Sequence, residues 1–505
     1  MKYSSCDAFL SMLKFLLLYI NYMKVLFIES PPSVDWRPES GITTGGRRHP
    51  SLAFTGETTY SYLSLSAAAV LREGGHEVEY IHCQTEGVTF DRLKEIIAAK
   101  SPDMLVIYVE HVTALVDFAI ADYAKNLGIK VVFTGPFVTP VAEKIFERCY
   151  GVDIIALKEF DYTILDIANA LEKKKDLSSV RGIKYRKGTF IKKTKERPII
   201  KDLDRLPFPA FDLIDLNKFY ETVFMHFPAA TTITSRGCPY RCFFCTFPRV
   251  LYSHDFRAQS PERVLAEARY LHDEFGVKEI RYDDDTFEID AKRVFDICNL
   301  FKKEKLDIKW SPQCRANNMT KNLAKSMASA GCIRIMFGVE SGDESILLKI
   351  NKGETIQQIW KGIMNARSAD IIIHNCIMFG FPWDTKETIQ KTFRFACKLN
   401  AEFTQFSIAT PLPGTPYYDM MVKEKRILGE DWERDSFQAS SIINPNFSNE
   451  WLSNFFKDVR KRYYLRPQWI YLVSKRMMRD PAFFRLMTRV SMNWYKHKRA
   501  GDPNF

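Results

Sequence analysis

The stretch TTITSRGCPYRCFFC, residues 231–245, sets Cys238, Cys242 and Cys245 at C-x3-C-x2-C spacing directly behind a β-branched run. TTITS (231–235) reads as a strand, and Gly237 permits a tight loop after it. Three thiolates on one loop can each bind a different iron of a cubane cluster, leaving the fourth iron without a protein ligand and open to chemistry. A closed structural zinc site needs four ligands in paired knuckles, and no second knuckle lies nearby. Three chance core cysteines are the blander alternative. The spacing, the preceding strand and Gly237 together favour the cluster.

Outward from this loop, TTITS opens a series of short apolar runs: KEIRYDD (278–284), DIKWSPQC (307–314), CIRIMFGVE (332–340), DIIIHNCIMFG (370–380) and FTQFSIATP (403–411). Helical periodicity falls between them at 261–274, 289–303, 320–330, 343–350, 355–368 and 385–399. Six such units predict a parallel partial (β/α)6 barrel over 226–430, with its chemistry in the carboxyl-end loops. An earlier series predicts an α/β, doubly wound, Rossmann-like domain over 23–175. Its strands are KVLFIE (24–29), HEVEYIHC (76–83), DMLVIYVE (103–110), KVVFTG (130–135) and DIIALK (153–158), with helices near 58–73, 90–100, 112–127, 139–149 and 160–173. Such sheets bind ligands at strand carboxyl ends, here the loops after Glu29, Tyr108 and Gly135. Residues 176–225, with a hairpin VRGIKYRKGTFIKK (180–193) and the Pro-containing DRLPFPAFDLID, read as a linker.

The composition is that of an ordinary globular protein of about three domains: 505 residues, 46% apolar and 26% charged, with net charge +11. It excludes a single small module, a collagen and a disordered chain. Eleven cysteines, odd in number and mostly far apart, point to a reducing, cytoplasmic compartment rather than a disulfide scaffold. Residues 1–22 carry an apolar run, Phe15–Ile20, too short to span a bilayer, and read as a leader arm or as a misassigned start with Met23 as the first residue. The region 431–505 is expected to be helical, basic and aromatic-rich. Residues 451–505 hold 13 Lys/Arg against 3 Asp/Glu, a net +10. Three readings stand for this tail: a nucleic-acid footprint, a membrane-interface element, or helices packed on the barrel with solvated charges. Interleaved Trp469, Tyr471, Phe483, Phe484 and Trp494 speak against nucleic acid.

The cysteine loop resembles the radical S-adenosylmethionine (radical SAM) superfamily, whose motif is C-x3-C-x-aromatic-C on a partial β/α barrel. The resemblance implies that Cys238, Cys242 and Cys245 ligate a [4Fe–4S] cluster and that Phe244 sits beside the adenine of S-adenosylmethionine. The methionine amino and carboxylate groups would chelate the fourth iron, and one-electron cleavage would give a 5′-deoxyadenosyl radical. It further implies that Asp283 and Asp284, in the triplet ending at Asp285, meet the methionine ammonium and Arg315 its carboxylate. Glu340 and Ser341 would bond the ribose, and Gly380 with Phe381-Pro382 would supply backbone beside the adenine. A solvated acidic loop and structural ion pairs are the plainer alternatives for these positions. An external electron donor of flavodoxin or ferredoxin type is implied as a partner.

A doubly wound domain ahead of this barrel resembles the cobalamin-binding branch of the superfamily, over nearly the whole chain from Met23. The signature D-x-H-x-x-G is absent, so the resemblance implies cobalamin without a histidine lower ligand; a domain that kept the fold and lost the cofactor is the alternative. The tail, with Arg466-Pro467-Gln-Trp469-Ile470, and Phe406–Pro416 look similar to the group of the anaerobic magnesium-protoporphyrin ester cyclase and hopanoid-modifying enzymes. That likeness implies a hydrophobic substrate such as a lipid or tetrapyrrole, with peripheral contact at the inner membrane face. Methylation of an unactivated carbon is the leading expectation. Oxidative cyclisation or ring rearrangement is the alternative reaction, and a non-enzymatic corrinoid- or nucleic-acid-binding iron–sulfur protein the alternative class.

Overall fold

A computed structural model of the chain describes residues 22–38, 43–45, 51–53, 57–221, 223–429 and 441–499. The expected leader or misassigned start therefore lies, Tyr22 apart, outside the described residues.

The amino-terminal sheet is built on β1 (Lys24–Glu29), β2 (Glu77–His82), β3 (Met104–Tyr108), β4 (Lys130–Thr134) and β5 (Ile154–Ala156), all parallel in the order β2-β1-β3-β4-β5. Their crossovers carry α1 (Tyr62–Glu73), α2 (Phe90–Lys100), α3 (Ala114–Asn126), α4 (Ala142–Arg148) and α5 (Asp161–Glu172). Because helices cover both faces, β3 is buried at every position: Met104 and Val106 enter one core, Leu105 and Ile107 the other. That double burial is why these strands read as unbroken apolar runs.

The hairpin differs from its reading as linker. Its strands β6 (Ile183–Lys187) and β7 (Phe190–Lys193) add antiparallel to β5, with Ile155 opposite Lys184, and make the sheet seven-stranded. Ile183 and Tyr185 are buried, so the hairpin contributes one apolar face to the existing core. All four residues of β7, the sheet's free edge, are exposed.

The second sheet is six-stranded, parallel and in chain order: β8 (Ala229–Thr232), β9 (Glu279–Tyr282), β10 (Lys309–Cys314), β11 (Arg334–Glu340), β12 (Ile372–Phe379) and β13 (Phe403–Ile408). Between them run α6 (Pro261–Phe275), α7 (Ala291–Lys303), α8 (Lys321–Ser329), α9 (Ile356–Arg367) and α10 (Lys386–Leu399). This is the expected partial barrel. Its first strand stops at Thr232 rather than Ser235, because the Thr234 N–H leaves the ladder to donate to the Asp284 carboxylate at 2.6 Å.

The carboxyl end forms α11 (Asn449–Tyr464), α12 (Pro467–Arg479) and α13 (Pro481–Arg499). Phe483, Leu486 and Met487 join Met225 and Ile372 in one buried cluster at the amino-terminal ends of the strands, so the last helices close the bottom of the barrel. The packed reading of the tail thus holds for this face, while Tyr471, Met478, Phe484 and Met492 on other faces are exposed. Among the described residues no helix is long and apolar enough to cross a membrane.

Candidate active site

The cysteine loop leaves the barrel at the carboxyl end of β8. Gly237 has φ +86°, and a Cβ there would collide with the carbonyl oxygen of Asp255. Its N–H donates to Asp285 Oδ2 at 3.1 Å, which fixes the turn into the thiols. Cys238 and Cys242 are buried and Cys245 half-buried, and the Cys245 N–H donates to the Cys242 carbonyl at 3.2 Å. Cys238 Sγ lies 3.4 Å from Thr286 Oγ1, and burial pushes its thiol up. Among the described residues no three His, Cys, Asp or Glu side chains converge on one point, as a single ion requires. Three thiolates on one loop can each take a different corner of a cubane, so the donor set fits a [4Fe–4S] cluster.

Beside Cys242 stands a buried ring of four charges. Arg315, just past β10, places Nη1 3.9 Å from Cys242 Sγ and its guanidinium 3.6 Å from the centroid of the Tyr240 ring. It pairs with Glu354 at 3.3 Å, and Lys352 Nζ sits 3.3 Å from Glu340 and 3.5 Å from Glu354. Gly338 makes room for this ring, since a Cβ there would press on the Glu340 carboxylate and the Lys352 ammonium. Glu340 itself is held at φ +62° beside a β-bulge, an unusual backbone state for a non-glycine residue. Burial alone would lower the Lys352 ammonium, but the two carboxylates outweigh it and push it up to about 12. For Glu340 burial wins and raises its carboxyl despite Lys352.

The other residues expected from the sequence separate. Phe244 is buried with its ring 5.5 Å from Phe381. Asp283 points to Arg281 at 3.3 Å and to Gln313. The Asp284 carboxylate accepts from Thr234 N, Thr234 Oγ1 and Ser235 Oγ at 2.6, 2.6 and 2.7 Å, so it braces the loop. The Ser341 hydroxyl meets Thr392 on α10 at 3.0 Å. The Gly380 N–H is taken by Asp384 at 3.0 Å, and a Cβ at Gly380 would press on Leu452 of α11; its backbone N–H is thus spoken for. Every guanidinium nitrogen of Arg315 has an acceptor within the protein, Nε reaching Asn317 at 3.4 Å.

The sequence reading missed Tyr240, Lys352 and Glu354. The one available signal was Lys352-Gly-Glu354, opposite charges flanking a glycine just before the Thr355 cap of α9. It missed the domain junction as well. Arg236, next to the cysteine loop, donates to Asp161 at 2.8 and 3.0 Å and to Glu159 at 3.0 Å, and Arg257 adds a pair with Glu159 at 2.9 Å. Glu159 and Asp161 follow β5, so the carboxyl edges of the two sheets face each other. Tyr60 strengthens this seam, its hydroxyl lying 2.8 Å from both Thr231 N and Thr231 O.

The strand order reverses between β1 and β3, the switch point at which doubly wound sheets bind ligands. Ser30 after β1, Glu110 and His111 after β3, and Gly135 after β4 stand at this edge. Burial raises the Glu110 carboxyl well above its ordinary range, favouring its neutral form. Gly135 has φ +112° and lies against Tyr108 and the Val109 carbonyl, where a side chain would crowd the edge. Glu29 at the end of β1 and Asp117 on α3 act on the same Glu110 carboxyl, so the edge gathers acidic groups beside Ser30 and Gly135. His111 is a histidine at this edge outside any D-x-H-x-x-G pattern, buried with its ring 6.2 Å from Phe137.

The family model of the radical SAM superfamily matches residues 232–396. An uncharacterized methyltransferase of Pyrococcus horikoshii is 32% identical over 413 residues, 81% of this chain and 89% of that protein. The anaerobic magnesium-protoporphyrin IX monomethyl ester cyclase of Cereibacter sphaeroides is 24% identical over 76% of this chain and 63% of its own length. The bacteriochlorophyllide d C-12(1)-methyltransferase of Chlorobaculum tepidum is 29% identical over 53% of this chain and 57% of its own length. The chain thus spans less than two thirds of the latter two. Among solved structures, the cobalamin-dependent S-adenosylmethionine radical enzyme OxsB superposes with TM-score 0.69 at 18% identity, covering 96% of this chain and 81% of that one. The radical S-adenosylmethionine methyltransferase TsrM from Kitasatospora setae does so with TM-score 0.64 at 15% identity, covering 80% and 75%. These two likenesses bear on the fold.

Proposed function

The chain belongs to the radical SAM superfamily, and on that premise we propose that it is a cobalamin-dependent enzyme that methylates an unactivated carbon of a hydrophobic substrate, such as a lipid or tetrapyrrole. In this reading Cys238, Cys242 and Cys245 hold a [4Fe–4S] cluster that binds S-adenosylmethionine, and the loops after β1, β3 and β4 hold the corrinoid. When bound, the cluster and S-adenosylmethionine supply one-electron cleavage of the sulfonium, and the corrinoid carries the methyl group.

The observation that carries the reading is the seam at Arg236. Its pairs with Glu159 and Asp161 set the cysteine loop against the carboxyl edge of the first sheet. Gly237 and Asp285 orient the thiols, Phe244 and Phe381 line the loop with apolar surface, and the Arg315 ring stands behind Cys242. The relatives named as methyltransferases support methyl transfer over the other reactions. Oxidative cyclisation is the second reading, favoured by the extent of the match to the cyclase. The exposed aromatic and basic surface of α12 and α13 supports a hydrophobic substrate drawn from a membrane interface, on its cytoplasmic side, with electrons from a flavodoxin- or ferredoxin-type donor.

The test is anaerobic production with hydroxocobalamin supplied, followed by assay of iron, sulfide, corrinoid and reductant-dependent 5′-deoxyadenosine. About four irons and one corrinoid per chain, with cleavage abolished in Cys242→Ala, is the expected result. Full iron and undiminished 5′-deoxyadenosine in Cys242→Ala would sink the assignment of the thiols. Iron and cleavage without corrinoid would end the proposal of methylation through cobalt.

A further inference from the structure

The charge ring beside Cys242 is a buried ionic cluster at the cysteine loop for which the reading above gives no role. Arg315 is 5% exposed, Lys352 4% and Glu354 5%, so each sits where an unbalanced charge is costly. Arg315 alone among these groups donates to a cysteine sulfur, at 3.9 Å from Nη1 to Sγ. Its other donors fix it in place: Nη2 reaches the Lys352 carbonyl and the Glu354 carboxylate, Nε faces Asn317, and the Tyr240 ring lies against the guanidinium plane. Four separate contacts hold one planar fork with a single N–H aimed at sulfur.

We propose that Arg315 is a positioning residue that acts through the Cys242 sulfur to raise the reduction potential of the cluster, with Glu354 as the opposing charge. The inference rests on the cluster reading above. Reduction adds one electron to the cluster, delivered by the external flavodoxin- or ferredoxin-type donor, and makes or breaks no bond. The added negative charge delocalises onto the ligand sulfurs, where a guanidinium N–H stabilises the reduced form more than the oxidised one. Glu354, at 3.3 Å from the same guanidinium, works in the opposite direction, and Lys352 between Glu340 and Glu354 keeps the ring as a whole neutral.

The experiment is an EPR-monitored redox titration of the reconstituted wild type, Arg315→Gln, Arg315→Lys and Glu354→Gln, each with iron and sulfide counted. Arg315→Gln is expected to keep its iron and, poised at the wild-type midpoint, to show a ratio of reduced to oxidised cluster lower by about tenfold, or about 59 mV for a one-electron couple. Arg315→Lys keeps the charge without the fork and should fall between. Glu354→Gln should move the midpoint upward. A full iron count with an unmoved midpoint in Arg315→Gln overturns the inference and leaves the cluster reading intact. If Arg315→Gln loses its iron, Glu354→Gln decides, an upward shift supporting the proposal and no shift overturning it. A wild type that binds no iron overturns the cluster reading, and this inference with it.

Discussion

The Arg236 guanidinium lies 2.8 Å from Asp161 and 3.0 Å from Glu159, with all three side chains almost wholly buried, so the residue before the cysteine loop is tied to the first turn of α5 in the other sheet. Removing one partner of such a pair costs about 3–5 kcal/mol, because a buried charge is left alone. Arg236→Ala is expected to lose stability of that order in urea unfolding, and Arg236→Lys less. Arg236 outweighs burial at Asp161 and holds its carboxyl below the usual range, so this contribution is present above the unfolded pKa and fades as pH falls through the folded one. Equal stability of Arg236→Ala and wild type would show that the seam is not a structural link.

Gly237→Ala puts a methyl group into the Asp255 carbonyl at a backbone angle, φ +86°, that alanine rarely adopts. The strain is about 1–3 kcal/mol, and it falls on the loop that aims the thiols. The variant is expected to lose most of its bound iron, with a denaturation midpoint lowered in line with that strain. Full iron content would show that the loop relaxes without the left-handed turn.

His374 is buried in the barrel on β12, facing Arg334 and Arg281. Burial, and then these two guanidiniums, push its imidazole from 6.5 down to about 3. Between those values the unfolded chain binds the extra proton, so this group's contribution is complete above pH 6.5 and is lost as pH falls toward 3. His374→Asn is expected to flatten the acid side of the stability profile, where one such group contributes a slope of up to about 1.4 kcal/mol per pH unit. The check is urea unfolding of both chains at about pH 5 and about pH 7.5; parallel profiles would exclude the effect.

Tyr471, Met478 and Phe484 are 69%, 81% and 50% exposed on helices that carry Lys475, Arg479 and Arg485, and these basic residues match an anionic lipid surface. The protein is expected to float with vesicles containing phosphatidylglycerol and to be released by high salt. Alanine at all three apolar positions should abolish flotation and leave the fold intact. Flotation unchanged in the triple variant would place any membrane contact elsewhere.

The strands were legible because double burial leaves them as β-branched runs, and the cysteines because their spacing needs no tertiary knowledge. Asp283, Asp284 and Asp285 show where that legibility stops. Three identical neighbours face Arg281 and Gln313, the Thr234–Ser235 backbone turn, and the Gly237 N–H respectively. Identity and spacing cannot divide those roles, because the direction of each side chain depends on how the chain leaves β9. Arg315, Lys352 and Glu354 were hidden for a related reason. They meet only when the ends of β10 and the loop before α9 are brought together, 37 residues apart in the chain. The hairpin gave no hint of its docking, since an alternating ribbon looks the same whether it stands alone or extends a sheet.

That hairpin also leaves one border of the first sheet unpaired. The outermost strand, Phe190-Ile191-Lys192-Lys193, has an open row of backbone donors and acceptors, and Phe190 is 71% exposed. A bare ribbon of this kind invites another chain to add a strand and start a growing stack. The two lysines set like charges along the rim, so approaching edges repel before their backbones can pair. Valine in their place would remove that repulsion and leave a β-prone apolar edge open to pairing with another chain.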